Sequence, residues 1–213
     1  MRLEGRITMR LRVRNAVKRF GDKKVLDGFS MDFPEKGMVC LFGPSGCGKT
    51  TLLSSIAGLS PLDGGAVEGN RGMKISCVFQ EDRLLPWLSA RENIAAVFRS
   101  RGDGLAQADR WLRRVGLEGA EGKLPGQLSG GMRRRVAIAR SLAFGGDLFL
   151  LDEPFQRLDA RTKKQVMELT GSEAEGRLGI LVTHDAGEAE AMADVTYILD
   201  GPPLKIVAIR QKK

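Results

Sequence analysis

Residues 43–50 read Gly-Pro-Ser-Gly-Cys-Gly-Lys-Thr, satisfying G-x-x-x-x-G-K-[ST] at every fixed position. Gly43, Gly46 and Gly48 let successive backbone N–H groups curl round phosphate oxygens with no Cβ in the way. Lys49 brings a cation to the outer phosphates of a nucleotide, and the Thr50 hydroxyl suits Mg2+. Pro44, Ser45, Cys47 and Thr51 complete the loop and the turn behind it. No phosphate chemistry needs the Cys47 sulfur, which reads as a tolerated small residue. A second site is residues 148–153, Leu-Phe-Leu-Leu-Asp-Glu. Asp152 suits Mg2+, directly or through water, and Glu153 is placed to polarise an attacking water. Alone, such a run is often only a strand meeting a polar loop. Beside a phosphate loop it reads as metal ligand and base.

These groups need rigid elements that end at them. Residues 38–42 form a short apolar run into Gly43-Pro44 and read as a buried strand. A helix is expected over 50–59, presenting its positive dipole end to the same anion. Residues 75–79, 148–151 and 178–182 read as further buried strands. Residues 11–17 and 25–33 read as half-buried strands, with 18–24 a turn. Helical spacing runs through 105–115, 133–143, 161–170 and 188–193, and 195–199 with 204–209 makes a closing hairpin. Strands alternating with helices predict an α/β fold built on a parallel sheet. A single domain over 1–213 is expected, with an N-terminal antiparallel β portion. Its core spans about 1–81 and 146–213, and an α-helical subdomain of about 82–145 is inserted.

Composition narrows the setting. The chain has 213 residues, 34 Lys plus Arg against 26 Asp plus Glu, and a net charge of +8. That balance suits an acidic partner (nucleic acid, an anionic membrane surface or phosphates) or simply solubility. Arg133, Arg134 and Arg135 are not interleaved with aromatics, so no base-stacking platform is expected. No run nears 18 apolar residues, so no transmembrane helix is expected. No secretory leader is expected at the start, Met9 offers an alternative first residue, and the tail 210–213 reads as a solvated end. Three cysteines without metal spacing suggest a reduced compartment.

Residues 128–132, Leu-Ser-Gly-Gly-Met, precede the helix expected at 133. With the phosphate loop, Asp152-Glu153 and Thr183-His184-Asp185, they resemble the ATP-binding cassette, the nucleotide-binding subunit of ABC transporters. The resemblance runs from about 11 to 199 and implies a P-loop NTPase core, ATP and Mg2+. By that resemblance Phe20 stacks on adenine with Val25 nearby. Gln80 reaches Mg2+ and the attacking water, and His184 is the switch that contacts the γ-phosphate. Leu128, Ser129, Gly130, Gly131 and Met132 act in trans on nucleotide held by a second subunit, with Asp159 coupling the two sites. A head-to-tail dimer is implied because a single chain cannot fold this anion-binding segment onto its own phosphate loop.

Residues 80–88, Gln-Glu-Asp-Arg-Leu-Leu-Pro-Trp-Leu, followed by Glu92-Asn93-Ile94, are similar to importer ATPases for nitrate, aliphatic sulfonates and taurine. The resemblance implies a cytoplasmic subunit on the inner membrane face, docked on an integral membrane permease and served indirectly by a substrate-binding protein. Trp87 either lies in the permease groove or packs the helical insert. Met132 and Arg157 depart from the family pattern, and Arg157 adds bulk and charge where a small residue is usual. An exporter or lipid-handling ATPase would share every catalytic motif. A cassette acting on nucleic acid usually carries a second cassette or a coiled-coil insert, neither of which occurs here, so no nucleic acid is expected.

Overall fold

A computed structural model describes residues 11–99 and 101–212. Strand β1 (Arg12–Phe20) and β2 (Lys23–Asp32) form an antiparallel hairpin with Phe20 opposite Lys23. The expected turn over 18–24 is therefore only Gly21-Asp22. Lys18, opposite Leu26, and Arg19 stay in the strand because Asp63 holds both, accepting from Lys18 Nζ at 3.1 Å and from Arg19 N–H at 2.7 Å. Strand β3 (Gly37–Phe42) leads through the phosphate loop into α1 (Lys49–Ile56). Strand β4 (Gly64–Glu68) returns to pair with β1, completing a three-stranded antiparallel sheet. Next come β5 (Ile75–Val78), α2 (Ala90–Ala95), α3 (Arg101–Arg114) and α4 (Gly130–Phe144). The chain closes with β6 (Leu148–Asp152), α5 (Ala160–Ala174), β7 (Leu178–Thr183), α6 (Ala186–Met192), β8 (Val195–Asp200) and β9 (Lys205–Gln211).

The larger sheet has the order β5-β6-β7-β3-β8-β9, parallel except for β8–β9. Strand β6 is buried on both faces, which is why it reads as an unbroken apolar run. Leu148 and Leu150 pack with α1 residues Leu52 and Ile56 and with Val13, Leu26 and Phe29 of the small sheet. Phe149 and Leu151 face the other way, onto Ile138 and Leu142 of α4 and Val166 of α5. A separate cluster joins α2, α3 and α4 through Ile94, Ala108, Leu112 and Val136. Helix α2 is short but firmly started by a capping box, in which Ser89 and Glu92 satisfy each other's backbone N–H groups.

Arg210 and Gln211 are exposed, as a solvated end would be, and they also pair with Thr196 and Val195 in β9. One expectation needs correction besides the turn. Helix α4 begins at Gly130 rather than 133, because the Ser129 side chain caps it by accepting from Met132 N–H at 3.2 Å. Met9 and Lys213 lie outside the described residues. Among the described residues, no helix is long and apolar enough to cross a membrane.

Candidate active site

Parallel strands deliver their chemistry at their C-terminal ends, and the register here aligns three such ends. Phe42 of β3 is level with Thr183 of β7, and Asp152 of β6 is level with Val182. The phosphate loop, the acidic pair and His184 therefore meet at one edge.

The loop is shaped by packing beneath it. Gly48 has φ 117°, and a Cβ there would lie 2.9 Å from Val25 Cγ1, so only glycine fits. Val25 is buried under the loop, while Phe20 stands 55% exposed at the hairpin tip with the Lys18 ammonium 5.5 Å from its ring centroid. Pro44, Ser45 and Gly46 are exposed; Gly43 and Cys47 are buried, Cys47 within the main core cluster. Lys49, the first residue of α1, is buried. Its ammonium donates to the carbonyls of Gly43 at 2.8 Å and Pro44 at 2.7 Å. It is held inside the mouth of the loop, at the positive end of the helix. Thr50 and Thr51 follow on the first turn of α1.

Asp152 lies 4% exposed at the end of β6, and its Oδ1 is buried with no hydrogen-bond partner. Burial pushes its carboxyl above the ordinary value, the Thr50 hydroxyl that donates to it opposes that shift, and the Glu153 charge adds to it. A buried orphan carboxylate oxygen beside a hydroxyl is what a Mg2+ ion would satisfy. Among the described residues no three His, Cys, Asp or Glu side chains could hold a metal alone. Mg2+ bound by one carboxylate, a hydroxyl and phosphate oxygens fits that chemistry.

The raised carboxyl has a consequence for stability. The folded state holds this proton more tightly than the unfolded chain. This group's contribution therefore falls as pH rises from the unfolded value through the raised folded one. Asp152→Asn removes the buried charge and keeps the shape. It should raise the metal-free unfolding midpoint at neutral pH by about 2–4 °C, the shift that ~1 kcal/mol gives at this size, and abolish the further rise that Mg2+ gives with ATP. Thermal scans with and without both ligands check this, and a lowered metal-free midpoint would remove the orphan-charge argument.

Glu153 follows with φ 46°, its N–H donating to Val182 O at 2.9 Å. Its Oε1 lies 3.2 Å from His184 Nδ1, so the two side chains read from separate segments form one pair. The Glu153 side chain is buried and that of His184 half-exposed. Gln80 is exposed just beyond β5.

Residues 128–132 do not join this cluster. They sit at the start of α4, packed against the connection from β6 to α5. A Cβ on Gly131 would lie 2.8 Å from Arg157 O, which demands glycine there. Asp159 caps α5 by accepting from Thr162 N–H at 3.0 Å, which holds its carboxyl below the ordinary value. The loop before α2 is braced by Asn93, fully buried, whose side chain bonds Leu85 N and O, Leu88 O and Ser89 O. It holds Trp87 70% exposed, so Trp87 does not pack the helical insert.

Sequence reasoning missed Arg134. It is 2% exposed, and its guanidinium donates to the carbonyls of Asp152 at 2.9 Å, Glu153 at 2.7 Å and Pro154 at 2.7 Å, and to that of Phe79. A usable signal was present: Arg134, Ile138 and Leu142 fall at i, i+4 and i+8, on the buried stripe of α4.

A phosphate loop between a parallel strand and a helix, with a buried carboxylate at the end of β6 one strand removed, defines a nucleoside-triphosphate-binding ATPase fold. The family model for ABC transporters matches residues 26–156, and the chain belongs to that family as one of its ATP-binding subunits. It is 40% identical over 205 residues to the aliphatic sulfonates import ATP-binding protein SsuB 2 of Burkholderia cenocepacia, covering 92% of this chain and 76% of that one. It is 42% identical over 196 residues to the taurine import ATP-binding protein TauB of Rhizobium johnstonii, covering 86% and 74%. Among solved structures, the ATP-binding cassette MJ0796, as a dimer in a post-hydrolysis state bound to ADP and Pi, superposes with a TM-score of 0.86. That match has 28% identity and covers 95% of this chain and 99% of the other.

Proposed function

We propose that this chain drives import of a small sulfonate-type solute, such as an aliphatic sulfonate or taurine, by coupling ATP hydrolysis to a separate membrane permease. The observation that carries the coupling half is the Asn93-braced loop that holds Trp87 out to solvent a few residues from Gln80. An exposed indole on a rigid loop suits a hydrophobic partner groove. The solute class rests on the names of the sulfonate and taurine relatives. We assign a nucleotide-binding core over about 1–81 and 146–213 and a helical subdomain over about 82–145. The site of action is the cytoplasmic face of the membrane, with a substrate-binding protein involved only through the permease.

In this reading Phe20 stacks on adenine above Val25, and residues 43–51 cradle the phosphates with Lys49 on the outer ones. Thr50, Asp152 and Gln80 hold Mg2+, which when bound neutralises charge on the β- and γ-phosphates. Glu153 accepts a proton as water attacks the γ-phosphorus and ADP leaves. His184 contacts the γ-phosphate and steadies the Glu153 carboxylate. Residues 128–132 of a second copy close over the γ-phosphate: the first-turn N–H groups lack intrahelical acceptors, and Ser129 Oγ, which accepts from Met132, keeps its own proton to donate. Asp159 lies between the two sites of the dimer. ATP thus joins two copies and hydrolysis releases them.

Affinity purification from detergent-solubilised native membranes tests the transport role. A polytopic membrane protein recovered in near-equal amount is the expected result. Recovery of only soluble proteins, ribosomes or nucleic acid would leave the ATPase standing and overturn the importer.

A further inference from the structure

We propose that Arg134 is a positioning residue that ties the start of α4 to the catalytic carboxylates, so that closure over nucleotide at residues 129–132 is felt at Asp152 and Glu153. The inference rests on the ATPase reading above. One guanidinium binds three consecutive carbonyls, those of Asp152, Glu153 and Pro154, and also reaches Phe79 O and, at 3.4 Å, Gln80 O. It sits one turn into the helix that begins at Gly130. Its own charge is met by Asp82 at 3.4 Å.

Three features make this more than a core hydrogen bond. Glu153 has φ 46°, a conformation that a non-glycine residue keeps only when its surroundings hold it. Both peptide planes that set its direction are held, by Val182 O on its N–H and by Arg134 on its carbonyl. The same guanidinium bridges the segment just beyond β5, which carries Gln80, to the end of β6. A planar fork with five donors can serve these acceptors together, and a lysine ammonium with three cannot. The neighbouring Arg135 gives an internal contrast. It anchors α4 in the same chemical way, donating to Val115 O and Gly116 O, but away from the site.

The test compares Arg134→Lys and Arg135→Lys in the full chain, measuring kcat, KM for ATP and the unfolding midpoint. Misplacing a reacting group by about 1 Å costs on the order of 10²-fold. Arg134→Lys should accordingly lower kcat by roughly 30- to 100-fold while KM changes less than about threefold. Arg135→Lys should lower the midpoint and leave kcat within about threefold. A kcat for Arg134→Lys near wild type, a KM rising as far as kcat falls, or equal losses in both variants would overturn the proposal. If Arg134→Lys does not fold, hydrogen exchange on the wild-type chain decides. Mg-ATP should raise protection in 130–136 and 150–157 together, and protection confined to 43–56 would refute the coupling. A wild-type chain with no ATPase activity would instead refute the ATPase reading itself.

Discussion

Glu153→Gln is expected to lower turnover about 10³-fold while leaving ATP affinity within roughly threefold of wild type, the range that loss of a general base produces. Gln has the same shape, and the backbone bonds that aim residue 153, from Val182 and Arg134, do not involve its side chain. What is lost is a carboxylate that can take a proton. His184 Nδ1, 3.2 Å away, still finds an oxygen acceptor in the amide, so the pair keeps its geometry. With binding intact and release blocked, ATP should hold two copies together. Gel filtration should move the variant from the 23.2 kDa monomer position to twice that mass when Mg-ATP is added. A variant that keeps a tenth or more of wild-type kcat would remove Glu153 as the base. Loss of ATP binding in step with turnover would make its role structural.

The site was legible where phosphate chemistry dictates residue type over a short span. Gly48 and Lys49 follow from loop geometry and charge, and the structure gives each a steric or hydrogen-bonding reason. The pairing of Glu153 with His184 was not legible, since it depends on β6 and β7 being neighbours in register. Strand β4 escaped for a related reason: Gly-Gly-Ala-Val-Glu has no alternation, and its extended form comes from pairing with β1. The start expected for α4 from its sequence falls three residues late because Gly130 and Gly131 are poor helix formers, whereas the Ser129 cap and the close approach of Arg157 O hold them there.

Arg134 shows a deeper limit. Three successive arginines on a helix point about 100° apart, so a charge run of this kind has no single face. Arg133 turns back to Leu128 O, Arg134 enters the core, and Arg135 reaches Val115 and Gly116. As a sequence they are only the densest basic cluster, adding to the net charge that suits an acidic partner. Resolved by direction, all three bond backbone carbonyls, and the net charge of +8 overstates the cationic surface that a partner meets.

Lys49→Ala should weaken ATP binding by about 10²- to 10⁴-fold, because two charge-assisted bonds to the outer phosphates, of roughly 1.5–3 kcal/mol each, would be lost. The ammonium is already inside the loop mouth, bonded to Gly43 O and Pro44 O and shielded from water, so little ordering is left to do when phosphate arrives. ADP presents fewer phosphate oxygens to that cation and should lose less, about 10- to 10²-fold for one such bond by the same arithmetic. Fluorescent-nucleotide titration measures both, and the ratio of the two losses carries the argument. Equal losses for ATP and ADP would mean that the lysine shapes the loop rather than meeting the outer phosphate. An ATP affinity within threefold of wild type would sink the assignment of residues 43–50 as the phosphate site. The thermal readout is independent: saturation at 100 times Kd adds about 2.7 kcal/mol to a folded protein. At an ATP concentration giving that shift in the wild type, the variant should show less than half of it.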